Sequence, residues 1–447
     1  MAASPLLHSV LPSANLLIVG AHVLDPRTGI DAPHDVLVRE RKIARIAAPG
    51  ELRPDGQPEM VQARGRHLLP AFVDPHVHLR SPGQEHKEDL ETGTRAAAVG
   101  GYGAVIAMPN TDPVLDSAPL LRSLREAASR EARIPVGFMA AITRGLDGVE
   151  LTEMAELVGE GALGFTDDGR PVASAGVLRK ALQYQRLCGG VLTLHEEDPS
   201  LSHGGSMHEG AVSAALGVGG IPSVSESTMV ARDAELAGYE DGRVHFQHLS
   251  CAASVHAVAA AKERNFRVSA EVTPHHLLLT DEHVRGLDTR MKMNPPLASE
   301  ADRLALIEGL RSGTIDCVAT DHAPHARHEK EVPFEQAPMG TTGLETAFAA
   351  LHTELVLPGT ISLALLVERM TAAAGLFGLP TPRIEVGEPA NLTLVDLGSE
   401  WVAGEHGWES RSENCCFAGR RLTGRVLMTV AAGGIAYRER AFSVVAA

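Results

Sequence analysis

The sequence predicts an α/β fold, a (β/α)8 TIM-type barrel joined to a small β-sandwich domain formed from both chain termini. The barrel is predicted because the middle of the chain repeats a unit of a short apolar strand, a polar loop and a helix. Eight such strands occur in this region. The appendage is predicted because both ends of the chain have short strands without helical periodicity. We place the small domain at residues 14–66 and 382–447 and the barrel at residues 67–381.

The two chain ends share a pattern of short strands and turns. We expect the first dozen residues to form a disordered tail before the first strand begins. Seven short strands are predicted for the small domain: Leu16–Val19, His22–Leu24, Asp35–Val38, Lys42–Ile46, Asn391–Asp396, Gly424–Val430 and Ile435–Tyr437.

The middle of the chain alternates strands and helices. An open doubly wound sheet usually has a Gly-rich phosphate loop after its first strand, whereas histidines occupy that position here, which favours the closed barrel. The predicted strands are Leu68–Asp74, Gly103–Met108, Ile134–Ala141, Ala162–Thr166, Gly190–Leu194, Val244–Gln247, Arg267–Val272 and Asp316–Thr320. The predicted helices between them include Leu90–Val99, Ala118–Ala132, Leu151–Glu160, Ala175–Leu187, Glu226–Leu236 and Ser254–Arg264.

Composition limits the classes of partner. The 447 residues suit a large barrel with a smaller appendage, and the formal net charge of −16 disfavours nucleic acid or an anionic membrane as a partner. Five cysteines without C-x-x-C spacing predict reduced thiols and a cytoplasmic protein. No apolar stretch reaches the roughly 18 residues of a membrane span, and no signal peptide is expected.

The first barrel strand ends in a His-x-His pair, His76 and His78. Residues two apart in an extended strand point the same way, so both imidazoles share one face. At the C-terminal end of a barrel strand that face looks into the mouth where active sites lie. Two converging imidazoles suit Zn²⁺ or a similar metal, while the alternative is a pair of satisfied surface histidines.

Four more predicted strands end in histidine or aspartate, and structural histidines have no reason to collect at one end of a barrel. These residues are Asp167 and Asp168 after strand four, His195 after strand five, His248 after strand six and Asp321 after strand eight. Together with the His-x-His pair they match a binuclear centre, which needs imidazoles, a bridging carboxylate and a terminal carboxylate. Strand alternation admits only one of Asp167 and Asp168 to the barrel mouth and leaves open which one.

Several motifs resemble those of one family. The run His76–Gly83 (HVHLRSPG), with Lys87-Glu88-Asp89 beyond it, resembles the first signature of dihydroorotases, and Ala319–His325 (ATDHAPH) resembles their second. The resemblance runs from about Leu16 to the end of the chain and fits the bacterial class I branch of the amidohydrolase superfamily. Ser81 departs from the pattern, since an acidic residue is more usual there. Similar segments follow in the family's order at 108–111 (MPNT), 165–169 (FTDDG), 294–297 (NPPL) and 387–392 (GEPANL).

The resemblance implies the reversible interconversion of N-carbamoyl-L-aspartate and L-dihydroorotate in pyrimidine synthesis. It implies two Zn²⁺ ions per subunit, bridged by Asp168 rather than Asp167, with the ion at His195 and His248 the more easily lost. The metal ligands would be His76, His78, Asp168, His195, His248 and Asp321. Hydrolysing an unstrained amide near neutral pH needs a strong nucleophile, and such a metal supplies one by lowering the pKa of a bound water. Asp321 would be the catalytic proton shuttle.

The substrate has a free carboxylate, which needs a cationic partner. Arg80 follows His78 by two residues, so we expect it on the same strand face with its guanidinium near the metals; the alternative is a solvated surface arginine. The resemblance adds further substrate contacts: His78, Asn110, Asn294, His325, Met339 and Gly340. It also raises aspartate transcarbamoylase as a protein partner, and we expect a homodimer.

Two other kinds of protein share parts of this pattern. Hydantoinases and allantoinases resemble the chain in fold but typically bridge their metals with a carboxylated lysine, whereas the fourth strand here ends in Asp167 and Asp168. A non-catalytic scaffold for aspartate transcarbamoylase would be expected to have lost several ligands, and all six are present. The sequence therefore favours the enzyme.

Overall fold

A computed structural model describes residues 5–53, 56–440 and 442 of the chain. The strands in chain order are β1 (Leu16–Asp25), β2 (Ile30–Arg39), β3 (Lys42–Ala47), β4 (Glu59–Gln62), β5 (His67–Pro70), β6 (Phe72–Val77), β7 (Tyr102–Ala107), β8 (Val136–Ala140), β9 (Gly164–Phe165), β10 (Leu192–Leu194), β11 (Met207–His208), β12 (Gly220–Ile221), β13 (Val244–Phe246), β14 (Val268–Val272), β15 (Cys317–Val318), β16 (Leu392–Val402), β17 (Arg421–Ala431) and β18 (Gly434–Arg438).

The helices lie mainly between the strands of the middle region. They are α1 (Leu90–Val99), α2 (Ala118–Glu131), α3 (Met154–Gly159), α4 (Ala175–Cys188), α5 (Pro199–Ser202), α6 (Ala211–Leu216), α7 (Val224–Glu240), α8 (Ala252–Glu263), α9 (Pro274–Leu278), α10 (Glu300–Ser312), α11 (Arg327–Lys330), α12 (Ala347–Leu351), α13 (Leu363–Thr371) and α14 (Ala373–Leu376). Short 3-10 segments occur at Arg144–Leu146, Asp281–Gly286 and Thr289–Met291, and a π-helical segment at His352–Val356. No helix within the described ranges is long and apolar enough to cross a membrane.

Eight parallel strands form the barrel, in the order β15-β14-β13-β10-β9-β8-β7-β6. The two end strands approach each other beyond β15, where Val77 forms a parallel bridge with His322 and the His78 amide donates to the His322 carbonyl at 2.9 Å. Helices alternate with these strands, as the apolar-strand and helix repeat predicted. The predicted (β/α)8 fold is thus confirmed.

The first predicted barrel strand, Leu68–Asp74, is in fact two strands. His67–Pro70 pairs with β16 and β1 in the terminal sheet, while Phe72–Val77 pairs with β7 in the barrel. An uninterrupted apolar run hides this change of partner, because both strands are buried and periodicity alone cannot show which sheet covers them.

Both chain ends build one eight-stranded sheet, ordered β18-β17-β16-β5-β1-β2-β3, with β4 also paired to β1. Gly20 has φ +68° and lies where β1 changes partner, from β4 at residues 16–19 to β5 at residues 22–23. Buried side chains from both ends, such as Ile18, Val36, Leu394 and Val430, pack into one apolar cluster. This burial stabilises the pairing of segments far apart in sequence.

The N-terminal segment corrects one prediction. Residues 1–4 lie outside the described residues, but the next ones are ordered against the barrel rather than forming a disordered tail. Leu7 forms an antiparallel bridge with Val136, and the Ser9 amide donates to the Ala132 carbonyl at 2.9 Å. Leu11 is buried as well. The sequence lacked a strand pattern here because a few backbone hydrogen bonds and apolar contacts, not a complete strand, hold the segment.

One excursion links the terminal sheet to the barrel mouth. Between β16 and β17 the chain forms a strap, residues 403–420, whose ends are joined by hydrogen bonds between Ala403 and residues 419 and 420. The strap lies against the loop after β6: the Ser410 hydroxyl donates to the Glu88 carboxylate, and the Ser412 hydroxyl donates to the Lys87 carbonyl.

Candidate metal centre and active site

Two groups of buried side chains meet at the C-terminal ends of the barrel strands. Within each group the ligand atoms lie within 4.8 Å of one another, and the groups share His76. One group is His76, Asp168 and His248, and the other is His76, His78 and Asp321. His195 joins them, since its Nδ1 lies 2.9 Å from His248 Nε2. The structure therefore brings all six predicted ligands together.

Asp168 lies at the centre of this cluster. Its Oδ1 is 3.3 Å from His76 Nε2 and 3.8 Å from both His195 Nδ1 and His248 Nε2. Its Oδ2 is 3.5 Å from His78 Nε2. One carboxylate thus faces imidazoles of both groups, as a bridging ligand must.

Asp167 faces the other way. Its carboxylate accepts hydrogen bonds from the backbone amides of Ile142 and Thr143, at 2.8 and 3.0 Å, and from the Thr143 hydroxyl. Burial raises the pKa of Asp167 to about 6, against the effect of these hydrogen bonds. Asp167 therefore ties two barrel loops together instead of entering the mouth.

The cluster fits a metal such as Zn²⁺. His76 Nε2, which faces Asp168 and Asp321, is buried and has no hydrogen-bond partner among the described residues; this is costly unless something else satisfies it. Burial opposes ionisation of Asp168, but His76 and neighbouring imidazoles lower the pKa of this carboxyl well below its usual range. Nitrogen and carboxylate donors at one point are the ligands that zinc prefers.

The backbone turns sharply at several of these strand ends. His248 and Asp321 have φ values of +29° and +47°, a region that non-glycine residues rarely adopt. Backbone strain of this kind persists where surrounding structure holds it and is concentrated at functional sites. Here the strained residues lie two and three positions after the ends of β13 and β15, and each side chain lies in a ligand group with His76.

Arg80 does not continue the first strand, which corrects the geometry expected from its spacing. β6 ends at Val77, and Arg80 has φ +58°. The side chain nevertheless lies at the mouth, buried, with Nε donating to the Pro324 carbonyl at 3.1 Å. Burial lowers the pKa of Arg80, while Asp321 and Asp168 oppose the shift. A turn, not strand alternation, therefore carries its charge to the ligand cluster.

Asn110 contacts two of the ligands. Its Oδ1 accepts from His78 Nδ1 at 2.8 Å, and its Nδ2 donates to Asp168 Oδ2 at 3.1 Å. The amide thus orients the His78 ring so that Nε2 points to Asp321, 3.0 Å away.

His325, Met339 and Gly340 lie together in the loop after β15. His325 Nε2 donates to the Met339 carbonyl at 2.8 Å, and its Nδ1 is buried without a hydrogen-bond partner in the described part of the chain. Burial and the nearby charges of Arg80 and Lys330 lower the pKa of His325 to about 2. The imidazole is therefore neutral, and its Nδ1 lies 3.8 Å from Glu329 Oε2.

Asn294 reaches the far side of the cluster. Its Nδ2 donates to Glu197 Oε2 at 2.6 Å and lies 3.3 Å from His195 Nε2. The Asn294 amide therefore lies beside one of the predicted ligands, His195.

The sequence prediction missed Glu271, on β14. Its Oε1 accepts from His76 Nδ1 at 2.7 Å, and its Oε2 accepts from His245 Nε2 at 3.0 Å. Burial opposes the charge, but His76 and His245 lower the pKa of Glu271 to about 2. The carboxylate thus fixes the tautomer and orientation of a ligand ring. An acidic residue inside an otherwise apolar barrel strand was the available signal.

Comparison with solved structures shows the fold. An L-hydantoinase (dihydropyrimidinase) from Arthrobacter aurescens superimposes with a TM-score of 0.85 at 24% sequence identity, covering 97% of each chain. A dihydropyrimidinase from Brevibacillus agri NCHU1002 gives 0.82 at 24% identity, again covering 97% of each chain.

Comparison with curated proteins identifies the family. A family model described as "Dihydro-orotase-like" matches residues 65–254. A dihydroorotase of Anaeromyxobacter sp. (strain K) is 46% identical over 430 residues, which cover 95% of this chain and 98% of that protein. A dihydroorotase of Pelotomaculum thermopropionicum is 44% identical over 426 residues, covering 95% and 99%. Fold and site define a hydrolase of cyclic amides. The chain belongs to the dihydroorotase family, as the motifs predicted.

Proposed function

We propose that this chain interconverts N-carbamoyl-L-aspartate and L-dihydroorotate plus water, a step of pyrimidine biosynthesis. The observation that carries the substrate assignment is the buried Arg80 guanidinium, which is anchored to the Pro324 carbonyl and whose charge interacts with those of Asp321 and Asp168. A permanently charged fork at the edge of the ligand cluster is matched to a carboxylate on the ring that the centre opens.

We propose two Zn²⁺ ions per subunit, bridged by Asp168. His76, His78 and Asp321 would complete one site, and His195 and His248 the other. When bound, the metal activates water and polarises the amide carbonyl. Glu271 would keep His76 in the tautomer whose Nε2 is free to bind.

Asp321 is the proposed proton carrier. Its Oδ1 lies 3.0 Å from His78 Nε2 and 3.5 Å from His76 Nε2. Burial opposes its charge, but His76 and His78 lower its pKa below the usual range, so the group is ionised, which is the form that a proton acceptor needs. It would take the proton of the attacking water and give it to the leaving ring nitrogen, and would act in reverse during ring closure.

The remaining residues would hold the ring. Arg80, Asn110 and His325 would bind the substrate carboxylate, whereas Asn294 and the backbone of Met339 and Gly340 would contact the ring amides.

We further propose a cytoplasmic homodimer with aspartate transcarbamoylase as a candidate partner. All five cysteines are free, which agrees with a reducing compartment. Size-exclusion chromatography with light scattering, alone and with aspartate transcarbamoylase, tests both associations.

Ring opening of dihydroorotate, hydantoin and allantoin by the zinc-loaded protein tests the substrate assignment. We expect dihydroorotate to react far faster, because only its ring has a carboxylate for Arg80. Arg80→Met should weaken dihydroorotate binding by about 2–5 kcal/mol through loss of a desolvated charge pair. Arg170→Met, at an exposed arginine after the fourth strand, is the matched control. Comparable rates on all three rings would contradict the proposal.

A further inference from the structure

We propose that Asn414, in the strap, is a positioning residue for the substrate pocket. It would set the loop after β15 so that His325 and Gly340 meet the ring correctly. The inference rests on the proposed function, since that function assigns both residues to substrate binding.

The Asn414 side chain is buried and uses both ends of its amide. Its Oδ1 accepts from the His325 backbone amide at 3.0 Å. Its Nδ2 donates to the Ala323 carbonyl at 3.0 Å and to the Gly340 carbonyl at 3.1 Å. A single side chain thus joins the beginning of the loop, at residues 323–325, to its return at residue 340.

The backbone of the strap continues the same connection. The Asn414 carbonyl accepts from the Thr341 hydroxyl at 3.0 Å and from the Thr342 amide at 3.3 Å, and the Cys416 amide donates to the Thr341 hydroxyl at 2.9 Å. These bonds anchor the strap itself, so removing the Asn414 side chain leaves most of the anchor in place.

The loop has little room to adjust. Gly340 has φ +137°, and a Cβ there would lie 2.8 Å from Ala323 Cβ and 3.0 Å from His325 Nε2. On the other side, buried Lys330 donates to the Pro338 carbonyl at 2.8 Å. The two segments of the loop, at residues 323–325 and at residue 340, are therefore closely packed, and the Asn414 amide bridges them.

The Asn414 side chain has three hydrogen-bond partners, all of them backbone atoms of the loop. Within the described residues it forms no hydrogen bond with any of the six proposed metal ligands. Loss of the amide should therefore alter substrate binding more than chemistry at the metals. Other strap residues, such as Ser412, hold the loop after β6 instead. This separation gives a matched control within the same segment.

The experiment compares Asn414→Ala and Asn414→Asp with Ser412→Ala in the zinc-loaded protein. For both Asn414 variants we expect KM for dihydroorotate to rise about tenfold or more, with kcat within about threefold of wild type, because a small displacement of a binding loop is costly. Metal content should not change, and amide hydrogen exchange in residues 323–342 should accelerate. Ser412→Ala should leave this exchange near wild type, because Ser412 bonds the loop after β6 and not residues 323–342. Asn414→Asp retains side-chain volume and provides the measurement if the alanine variant does not fold.

Three results would overturn the inference: unchanged KM in a folded Asn414 variant, equal acceleration of hydrogen exchange at residues 323–342 in Ser412→Ala, or loss of metal together with kcat. A lower melting temperature with unchanged KM would assign Asn414 to domain docking only. If wild type fails to open dihydroorotate, the proposed function fails; if wild type is active and the Asn414 variants behave like it, only the inference fails.

Discussion

Adjacent residues of the same type have opposite environments in this centre. Asp167 accepts three hydrogen bonds from Ile142 and Thr143, whereas Asp168 faces four imidazoles. The same burial that raises the pKa of Asp167 is outweighed at Asp168 by the neighbouring histidines. Both residues are aspartates, so the role of each carboxylate is set by the groups around it and not by its residue type.

Asp168→Ala should lose metal and activity together, because the carboxylate faces ligands of both groups. Asp167→Ala should mainly lower stability, by roughly 1–3 kcal/mol, because buried backbone amides lose their acceptor. Metal analysis and thermal unfolding of both variants measure this difference. Full metal content in Asp168→Ala with depletion in Asp167→Ala would reverse the assignment.

Asp321→Asn should retain the fold and most of the metal while kcat falls by roughly a hundredfold to ten-thousandfold. An amide still offers an oxygen to a metal but cannot carry a proton near neutral pH. Steady-state kinetics beside metal analysis check the result. A variant that keeps most of its activity would show that another group carries the proton.

At the scale of elements, loops rather than strands complete the pocket. The loop after β15 is held by Asn414 on one side and by Lys330 on the other. The Lys330 ammonium donates to the carbonyls of Thr289, Lys292 and Pro338. A buried cation in place of an apolar side chain satisfies three carbonyls that the irregular backbone leaves unpaired.

Burial lowers the pKa of Lys330 from 10.5 to about 7, and the neighbouring Lys292 acts in the same direction. Between these values the unfolded chain binds a proton that the folded protein lacks, so this group makes stability rise with pH from 7 to about 10.5 and adds no slope below 7. Relative to Lys330→Met, wild type should gain at most about 1.4 kcal/mol per pH unit in that window.

Urea unfolding at pH 6, 7, 8 and 9 measures the slope for wild type, Lys330→Met and the exposed control Lys180→Met. The control should follow wild type. Equal slopes in all three proteins would show that Lys330 remains protonated when folded.

At the scale of the molecule, the terminal sheet and the barrel are joined at both ends of the chain and by the strap. Strand β5 pairs with β16 and leads directly into β6, so the sheet adjoins the strand that carries His76. The domain limits 14–66 with 382–447, and 67–381, remain a prediction, and the pairing of His67–Pro70 in the terminal sheet argues for a later boundary. We expect the two parts to unfold as one unit.

Leu394→Ala tests this coupling. Leu394 is fully buried in the core of the terminal sheet, and its truncation should cost about 2–5 kcal/mol. Both tryptophans, Trp401 and Trp408, report on β16 and the strap, while far-UV circular dichroism reports mainly on the barrel helices. The two signals should show the same lowered midpoint, whereas exposed Val386→Ala should shift neither. Separate transitions would contradict a single unit.

The barrel, the family and the set of residues at the mouth could all be predicted from the sequence alone. This was possible because parallel barrel strands are buried on both faces, so each appears as an apolar run and its end is visible as the first His or Asp. The spacing of His76 and His78 and the position of Asp321 after an apolar run are local signals. They can be recognised without knowing which other residues lie nearby in the fold.

Long-range packing, which the sequence does not show, sets which groups share a site and what each one does. It turned Asp168 toward the imidazoles, placed Arg80 by a turn, ordered the segment from Leu7 to Leu11 and brought Glu271 beneath His76. It also brought Asn414 to His325, 89 residues away. The physical reason is that hydrogen bonding and desolvation act over a few ångströms in space, whereas spacing along the chain reports only local geometry.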